Sequence, residues 1–253
     1  MSVLEKESID AASIVPAPVL DSQSVQEGKG YKENNKIGYL AVKRVFDFIA
    51  SLCASIVILI PMLFISVLII LKDFGNPFYI SERVGKDGKA LKMLKFRSMK
   101  VGADDLENTL TAEKLEEYMR EYKIKDDPRL IGYKKEGDGD RCFGAVLRKT
   151  SLDELPQILW NICIKGEMSV VGPRPLIKEE LEKNYTPEQQ RIFTSVKPGL
   201  TGYWQAYARN DATYESGKRQ KMELHYIQNR TVILDIKIIL HTVISVIKKS
   251  GAN

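Results

Sequence analysis

The sequence has few of the residues that build thiolate or imidazole metal centres and covalent cross-links. Its three cysteines, Cys53, Cys142 and Cys163, are too few and too scattered for a disulfide framework or a zinc site. Only two histidines occur, His225 and His241, which excludes a histidine-rich metal centre. A bound metal would therefore have oxygen ligands, which favour Mg²⁺ or Mn²⁺.

A strong excess of one charge is also missing. The 253 residues carry a formal net charge of +5, with 44% hydrophobic and 28% charged residues, as in an ordinary folded protein. A mildly basic chain suits an anionic partner such as a phospholipid surface, a nucleotide or a nucleic acid. No base-stacking motif or nucleic-acid-binding module occurs, so we expect no nucleic-acid partner.

A long apolar run follows a polar N-terminal segment, residues 1–40, which we expect to be a flexible tail. Residues 48–71 carry no charge and exceed the roughly 18 residues that indicate a membrane helix, although a buried core helix is the alternative. Lys43 and Arg44 precede the run and a lysine follows it, so both flanks are basic. Pro61 would break or kink the helix. A single span and a re-entrant helix both remain open.

The rest of the chain is predicted to contain a β-hairpin and mostly helices. In residues 78–96, two apolar stretches flank Gly85-Lys-Asp-Gly88, and Asp-Gly is a strong turn signal. Residues 232–249 have a broad apolar face interrupted by Asp235, Lys237 and His241. That segment is predicted to be either a core helix or a helix lying in the membrane interface.

The densest cluster of reactive side chains lies within residues 147–175. Ser151 and Glu154 have the spacing of a capping box, and in that interpretation Asp153 and Glu154 only decorate the start of a helix. Pro156 argues against it, because a proline so soon after the cap intrudes on the first regular helical hydrogen bonds.

Five motifs, read in order, resemble the bacterial sugar transferase family, the polyprenyl-phosphate hexose-1-phosphate transferases that are also called monotopic phosphoglycosyl transferases. The similarity extends from about residue 43 to residue 249. The motifs are Lys95-Phe-Arg-Ser-Met99, Asp127-Pro-Arg129, Arg148-Lys-Thr-Ser-Leu-Asp-Glu-Leu-Pro-Gln157, Gly172-Pro-Arg-Pro175 and Lys197-Pro-Gly-Leu-Thr-Gly202.

This resemblance implies a two-step exchange. The carboxylate of Asp153 attacks the β-phosphate of a UDP-sugar and expels UMP, and polyprenyl phosphate then takes the phosphosugar. Glu154 is expected to hold Mg²⁺ (or Mn²⁺). A carboxylate with an ordinary pKa of about 3.9 is ionised at neutral pH and needs no base to act as a nucleophile. Two like unit charges about 4 Å apart repel by about 4 kcal/mol at an effective dielectric near 20, so the site needs cations.

Five basic side chains are candidates for that role, each with an alternative. Arg174, between two prolines, suits a bidentate phosphate contact but could pair with an acid. Lys95 and Arg97 alternate along a strand and could face the nucleotide, the lipid phosphate or only solvent. Arg148 could steady Asp153 or bind phosphate. Arg129 could bind phosphate or merely close a turn.

The chain departs from the family pattern near its C-terminus. Ala208-Arg209-Asn210 stands where members often have Gly-Arg-Asn, and Arg209 is a further candidate for substrate binding. Glu223-Leu-His225-Tyr226 stands where members often have Asp-x-Tyr-Tyr. We expect this region to contact the donor, so these departures affect the donor's identity more than the reaction.

The resemblance also favours the re-entrant course, because Lys43 and Arg44 match the family's basic pair and Pro61 its helix break. The predicted fold class is α+β and mostly helical. It comprises a tail (1–40), a re-entrant membrane-anchoring helix (41–73) and a cytoplasmic catalytic domain (74–253) with a β-hairpin and interfacial amphipathic helices.

The expected function is transfer of a sugar 1-phosphate to polyprenyl (undecaprenyl) phosphate at the cytoplasmic face of the cell (inner) membrane, initiating capsule, exopolysaccharide or other surface glycan assembly. The alternative is a non-catalytic membrane scaffold of a glycan-assembly complex. The sequence identifies neither the hexose nor the polyprenol, and it leaves a homo-oligomer open.

Overall fold

The computed structural model describes residues 37–121, 124–208, 214 and 216–247, except for the side chains of 121 and 245–247. Most of the predicted tail therefore lies outside the described residues, as does Arg209. The helices are α1 (Ile37–Lys72), α2 (Leu106–Thr109), α3 (Ala112–Glu121), α4 (Phe143–Lys149), α5 (Leu155–Gln157), α6 (Lys178–Asn184), α7 (Pro187–Thr194), α8 (Tyr203–Tyr207), α9 (Lys218–Asn229) and α10 (Val232–Ile247). The strands are β1 (Phe78–Val84), β2 (Ala90–Phe96), β3 (Ser169–Val171) and β4 (Gly199–Thr201). Single 3₁₀ turns span Lys86–Gly88 and Leu152–Glu154, and a π-helix spans Ile158–Ile164. The mostly helical prediction with one hairpin is confirmed.

Helix α1 begins slightly before the predicted anchor and has 36 residues. Its length and composition would allow it to cross a membrane: its most apolar 18-residue window has a mean hydropathy of 3.0, and 22% of that window is buried. At about 1.5 Å per residue, a straight helix of this length would exceed the roughly 30 Å hydrocarbon core. Pro61 lies inside α1, which is helical on both sides of it. The re-entrant course stays a prediction.

One stripe of α1 packs against the rest of the protein along most of its length. The buried residues of α1 are Asp47, Ser51, Ser55, Met62, Ile65 and Ile69. Their spacing of three, four or seven places them on one helical face. The last three join Phe96, Ile131 and Leu147 in an apolar cluster. Most of the other apolar side chains of α1 are exposed and form an apolar surface of the kind that marks an interaction site.

Polar side chains fix the beginning of α1. The buried carboxylate of Asp47 accepts hydrogen bonds from Ser169 Oγ (2.7 Å) and Val170 N (2.9 Å), which joins α1 to β3. Arg44 Nη1 donates to the carbonyl oxygen of Ile162 at 3.1 Å. Asp47, a polar residue within the first half of α1, therefore docks the helix onto the domain.

The hairpin has the predicted turn and a register that determines which side chains share a face. Strands β1 and β2 pair antiparallel from Val84 opposite Ala90 to Phe78 opposite Phe96. In this register Arg83 lies opposite Leu91 and Tyr79 opposite Lys95. Since side chains alternate along a strand, Arg83 and Lys95 lie on the same face of the hairpin.

A second, parallel pair of short strands was not predicted. Strands β3 and β4 pair from Ser169 to Gly199 and from Val171 to Thr201. A Cβ atom on Gly172 would lie 2.6 Å from the backbone nitrogen of Gly199, so only glycine allows the two chains to approach this closely. The motifs that begin at Gly172 and Lys197 thus meet here, and Gly172 and Gly199 allow the two backbones to pack closely.

Helix α10 fits the core-helix alternative on one side, and its place in the membrane interface stays a prediction. Its Ile238 is fully buried in the main apolar core formed with β3 and helices α6 to α9. On its other side Ile233, Ile236, Leu240 and Val243 are exposed and recur at nearly helical spacing. This row of four is called the α10 stripe below.

Asp235 joins α10 to the beginning of α1. Its Oδ2 accepts from Lys43 Nζ at 2.8 Å and from Tyr39 at 2.9 Å, and its Oδ1 accepts from Tyr226 at 2.8 Å. Replacing Asp235 by alanine would leave a largely buried ammonium without its partner. We therefore expect Asp235→Ala to lower the unfolding free energy by about 3 kcal/mol, measured by urea unfolding of the full chain in detergent micelles.

The control is Glu182→Ala, which removes an exposed pair with Lys178 in which the Nζ–Oε1 distance is 3.8 Å. That loss should cost less than about 1 kcal/mol. Equal effects of the two substitutions would contradict the importance of the Asp235 contact.

Candidate active site

A sharp break in the chain carries the two central carboxylates. After α4, Ser151 adopts φ 56°, the left-handed region that serine rarely occupies, and the 3₁₀ turn Leu152–Glu154 follows. The hydroxyl of Ser151 makes no capping hydrogen bond, so the capping-box interpretation is wrong. Pro156 lies in the first turn of α5, where no backbone donor is needed.

Asp153 is a buried carboxylate, with 8% of its surface exposed. Burial raises its pKa to about 6, since a charge loses solvation there, and the neighbouring Glu154 carboxylate acts in the same direction. Lys95 and, to a smaller extent, Arg148 oppose the rise. The group is therefore an under-solvated carboxylate that is still largely ionised at pH 7.

Glu154 forms an ion pair with Lys95, in which Nζ and Oε1 are 3.0 Å apart. Lys95 is held in place through β2, which the fully buried Asn161 of the π-helix supports. The amide of Asn161 accepts from Leu94 N at 3.0 Å and donates to Lys92 O at 2.8 Å. The π-helix therefore fixes the strand that brings Lys95 to the carboxylates, in agreement with the frequent location of such helices at functional sites.

A recess that is open to solvent lies beside this pair. Its polar lining comes from the β1–β2 hairpin, the 3₁₀ turn Leu152–Glu154, helix α5, the loop after β3 and helix α8. The charged and amide side chains that line it are Arg83, Lys95, Glu154, Gln157, Arg174 and Gln205. Three cations and one carboxylate make it a site for an anion.

Arg174 projects from the loop that follows β3. Its backbone N–H donates to Glu223 Oε1 at 3.2 Å, and its guanidinium lies 5.9 Å from the centre of the Trp204 ring. Gly172 N donates to Thr201 O at 2.9 Å, which ties the same loop to β4. The loop is thus held from two sides.

A buried polar cluster lies behind Arg174. The guanidinium of Arg219 is sandwiched between the rings of Trp204 and Tyr214, 4.0 Å from each ring centre. It also lies 3.3 Å from Glu180. Glu223 is 1% exposed, and its burial raises its pKa to about 7 against the lowering effect of Arg219.

Three of the predicted basic residues do not line the recess. Arg97 forms an ion pair with Asp73 and donates through Nε to Asn76 O at 2.8 Å, so it binds the segment that follows α1. Arg129 makes a bidentate pair with Asp127 at 2.9 and 2.7 Å, the turn-closing alternative. Arg148 is exposed at the end of α4 and acts on Asp153 through its charge.

Glu154, Lys95 and Arg174 therefore line one recess, and Asp153 is next to Glu154 in the chain but is not among the lining residues. Sequence reasoning missed Arg83, Gln157 and Gln205. For Arg83 a signal was available, because the hairpin register places it on the face of Lys95.

The carboxylates fit one mode of magnesium binding. Within the described ranges, no group of three or more His, Cys, Asp or Glu side chains is arranged around a common metal position. Mg²⁺ commonly takes one or two carboxylates and completes its shell with substrate phosphates and water. Glu154, at the recess and next to Asp153, suits that arrangement.

Comparison with known proteins identifies relatives along most of the chain. A family model described as bacterial sugar transferase matches residues 38–249. The UDP-galactose-lipid carrier transferase of Erwinia amylovora is 42% identical over 214 residues, which cover 83% of this chain and 41% of the relative.

Two further relatives differ in length. The undecaprenyl-phosphate galactose phosphotransferase of Salmonella typhimurium is 36% identical, with 83% of this chain and 41% of the relative covered. The exopolysaccharide production protein ExoY of Rhizobium meliloti is 37% identical, with 85% and 89% covered. The chain thus spans less than half of the first two relatives and most of the third.

Glu223 makes stability depend on pH. Its pKa is about 7 in the folded state, and its ordinary value is 4.5. Between pH 4.5 and 7 the carboxyl group therefore keeps its proton in the folded state and loses it in the unfolded state. Stability contributed by this group therefore falls as pH rises from about 4.5 to 7. We expect wild type to lose about 3 kcal/mol relative to Glu223→Gln across that range, measured by urea unfolding at pH 4.5 and 7.5.

The glutamine resembles the protonated acid and does not titrate, so every other group is matched. A difference between the two proteins that is independent of pH would contradict the burial of a titrating carboxyl group.

Proposed function

The chain belongs to the bacterial sugar transferase family, as its motifs indicated, and from this membership we propose that it transfers a sugar 1-phosphate from a UDP-sugar to polyprenyl phosphate and releases UMP. The observation that carries the proposal is the buried Asp153 carboxylate next to Glu154, which lines a recess together with Arg83, Lys95 and Arg174. The names of the relatives, a lipid carrier transferase and an undecaprenyl-phosphate phosphotransferase, support the same class of reaction.

In the first step, a carboxylate oxygen of Asp153 attacks the β-phosphorus of the donor. The bond between that phosphorus and the bridging oxygen breaks, and the oxygen leaves with its electron pair on UMP. The phosphosugar remains as an acyl phosphate on Asp153. Burial suits this role, because a carboxylate with little solvation is the better nucleophile and its pKa of about 6 still leaves it ionised at pH 7.

In the second step, a phosphate oxygen of polyprenyl phosphate attacks the same phosphorus. The carboxylate of Asp153 leaves and is regenerated, and the product is a polyprenyl diphosphate sugar. No proton must be moved to activate either nucleophile, since both are anions at neutral pH. This explains why the site is built from cations and a carboxylate without a histidine base.

The basic side chains bind and orient the two anionic substrates. Arg174 presents its planar guanidinium from a loop held at both ends and is suited to two phosphate oxygens at once. Lys95 keeps Glu154 in place and adds positive charge next to Asp153. When bound at Glu154, Mg²⁺ would neutralise charge on the diphosphate oxygens.

We place the reaction at the cytoplasmic face of the inner membrane, where acceptor and product remain in lipid. The exposed apolar surface of α1 and the α10 stripe, joined through Asp235, supply the hydrophobic contact. Lys43, in the second turn of α1, is bonded to Asp235, and Asp73, directly after α1, is bonded to Arg97, so both ends of the helix contact the same domain. A helix whose ends return to one domain supports the re-entrant course. The product would start assembly of an exopolysaccharide, capsule or other surface glycan.

Asp153→Asn should lower the release of UMP by at least about 1000-fold, because a neutral amide is too weak a nucleophile to displace UMP from the β-phosphorus. The measurement uses the full chain in lipid nanodiscs with Mg²⁺, polyprenyl phosphate and a panel of UDP-sugars. Without acceptor, the wild type should retain a labelled phosphosugar on Asp153 and the variant should retain none.

Two controls accompany this assay. EDTA should stop UMP release, and Glu154→Gln should raise the half-maximal Mg²⁺ concentration at least about tenfold, the lower bound for losing even an outer-shell partner of a metal. Ordinary turnover by Asp153→Asn, or release of UDP in place of UMP, would refute the proposed reaction.

The re-entrant course predicts that the two ends of α1 lie on the same side of the membrane. In a Cys53→Ser background, where Cys142 and Cys163 are buried, we expect single cysteines at Ile37→Cys and Phe74→Cys to react alike. Both positions are exposed, at 78% and 84%. A membrane-impermeant maleimide should label both in inside-out vesicles and neither in intact spheroplasts. Labelling of the two positions from opposite sides would establish a single span.

A further inference from the structure

Arg83 and Arg174 are two cations that line one recess without an acidic partner. Among the described residues, neither guanidinium forms an ion pair with a carboxylate, whereas Lys95 in the same recess is paired with Glu154. Arg83 Nη1 donates to the carbonyl oxygen of Glu82 at 2.9 Å, which leaves most of its donors unused.

The backbone fixes the two arginines as neighbours. Val84 N, next to Arg83 at the end of β1, donates to Leu176 O at 2.8 Å, two residues beyond Arg174. Burial and then the charge of Arg174 lower the pKa of Arg83 from its ordinary value, and the more weakly acting carboxylate of Glu180 opposes them. The fold therefore holds two like charges together where they repel each other, which a bound anion would reverse.

An independent observation also indicates a ligand with acceptor oxygens. Gln157 is 1% exposed, lines the same recess, and its buried Nε2 has no hydrogen-bond partner among the described residues. A buried amide donor without a partner costs about 1–3 kcal/mol, and an acceptor in the recess would remove that cost. Two guanidinium groups and an amide in one recess match a group with several anionic oxygens.

We propose that Arg83 is a further donor-binding residue, which holds the diphosphate of the nucleotide sugar together with Arg174 and the amide of Gln157. The inference rests on the proposed function, since a diphosphate is the donor's most anionic part. The phosphate of the lipid acceptor has the same chemistry, and the test separates the two.

The test measures the affinity of the full chain in nanodiscs, with Mg²⁺, for UDP, uridine and a short isoprenyl phosphate, by isothermal titration calorimetry. Loss of a charged hydrogen-bonding partner costs about 1.5–3 kcal/mol, so Arg83→Gln should weaken UDP binding about 10- to 100-fold. Uridine and isoprenyl phosphate affinities should stay within about twofold. The UDP affinity of Arg83→Lys should lie between those of wild type and Arg83→Gln, because lysine keeps the positive charge but cannot make the bidentate contact of a guanidinium.

Arg191→Gln is the matched control, since this arginine is exposed on α7 and does not line the recess. It should leave all three affinities unchanged. Gln157→Leu removes the amide at similar side-chain volume, and it should weaken the binding of UDP but leave the binding of uridine unchanged. This second variant keeps the test decisive if Arg83→Gln does not fold.

Three results would overturn the inference. Unchanged UDP affinity in Arg83→Gln, with UMP still released by the wild type, would remove Arg83 from the site and leave the proposed function standing. Selective loss of isoprenyl phosphate binding would assign the recess to the acceptor. A wild type that neither binds UDP nor releases UMP would remove the proposed function, and the inference with it.

Discussion

The docking of α1 onto β3 is the contact on which the geometry of the site depends. The Asp47 carboxylate bonds β3, and β3 continues into the loop that carries Arg174. On its other side β3 pairs with β4, where paired glycines allow the close approach. Helix α1 is therefore a structural element of the domain that carries the recess. In the proposed reaction the acceptor is a lipid, and this link would keep the reacting groups at the level of the lipid phosphate.

Charge balance is the second constraint. The proposed nucleophile and its target are both anionic, and the chain groups cations around a single recess that Glu154 also lines, while Asp153, next to Glu154, is buried. Other cations are used differently. Arg97 and Arg129 are paired with aspartates and hold loops, and Arg219 is stacked between two aromatic rings behind the recess. Exposure to the recess without an acidic partner is what separates Arg83 and Arg174 from these structural arginines.

The sequence predicted the elements whose signals are local. The uncharged run gave α1, Asp87-Gly88 gave the hairpin, and the motif around Asp153 gave the dyad that the structure places beside Lys95 and Arg174. The sequence did not predict the long-range contacts. The β3–β4 pair has only three residues in each strand, and the hydrogen bond from Val84 to Leu176 joins segments that are far apart in the chain. The roles of the basic residues could not be ranked, because an arginine in a motif looks the same whether it binds phosphate or closes a turn, as Arg129 does.

The burial of Met62, Ile65 and Ile69 against Phe96, Ile131 and Leu147 also makes part of α1 a component of the domain's core. The opposite surface of the same helix is apolar and exposed, and such a surface is prone to association in water. The proposed insertion of α1 into a bilayer would cover that surface, so a chain that misses the membrane would be a target of chaperones and proteases. Active protein would then be confined to the compartment that holds the proposed acceptor.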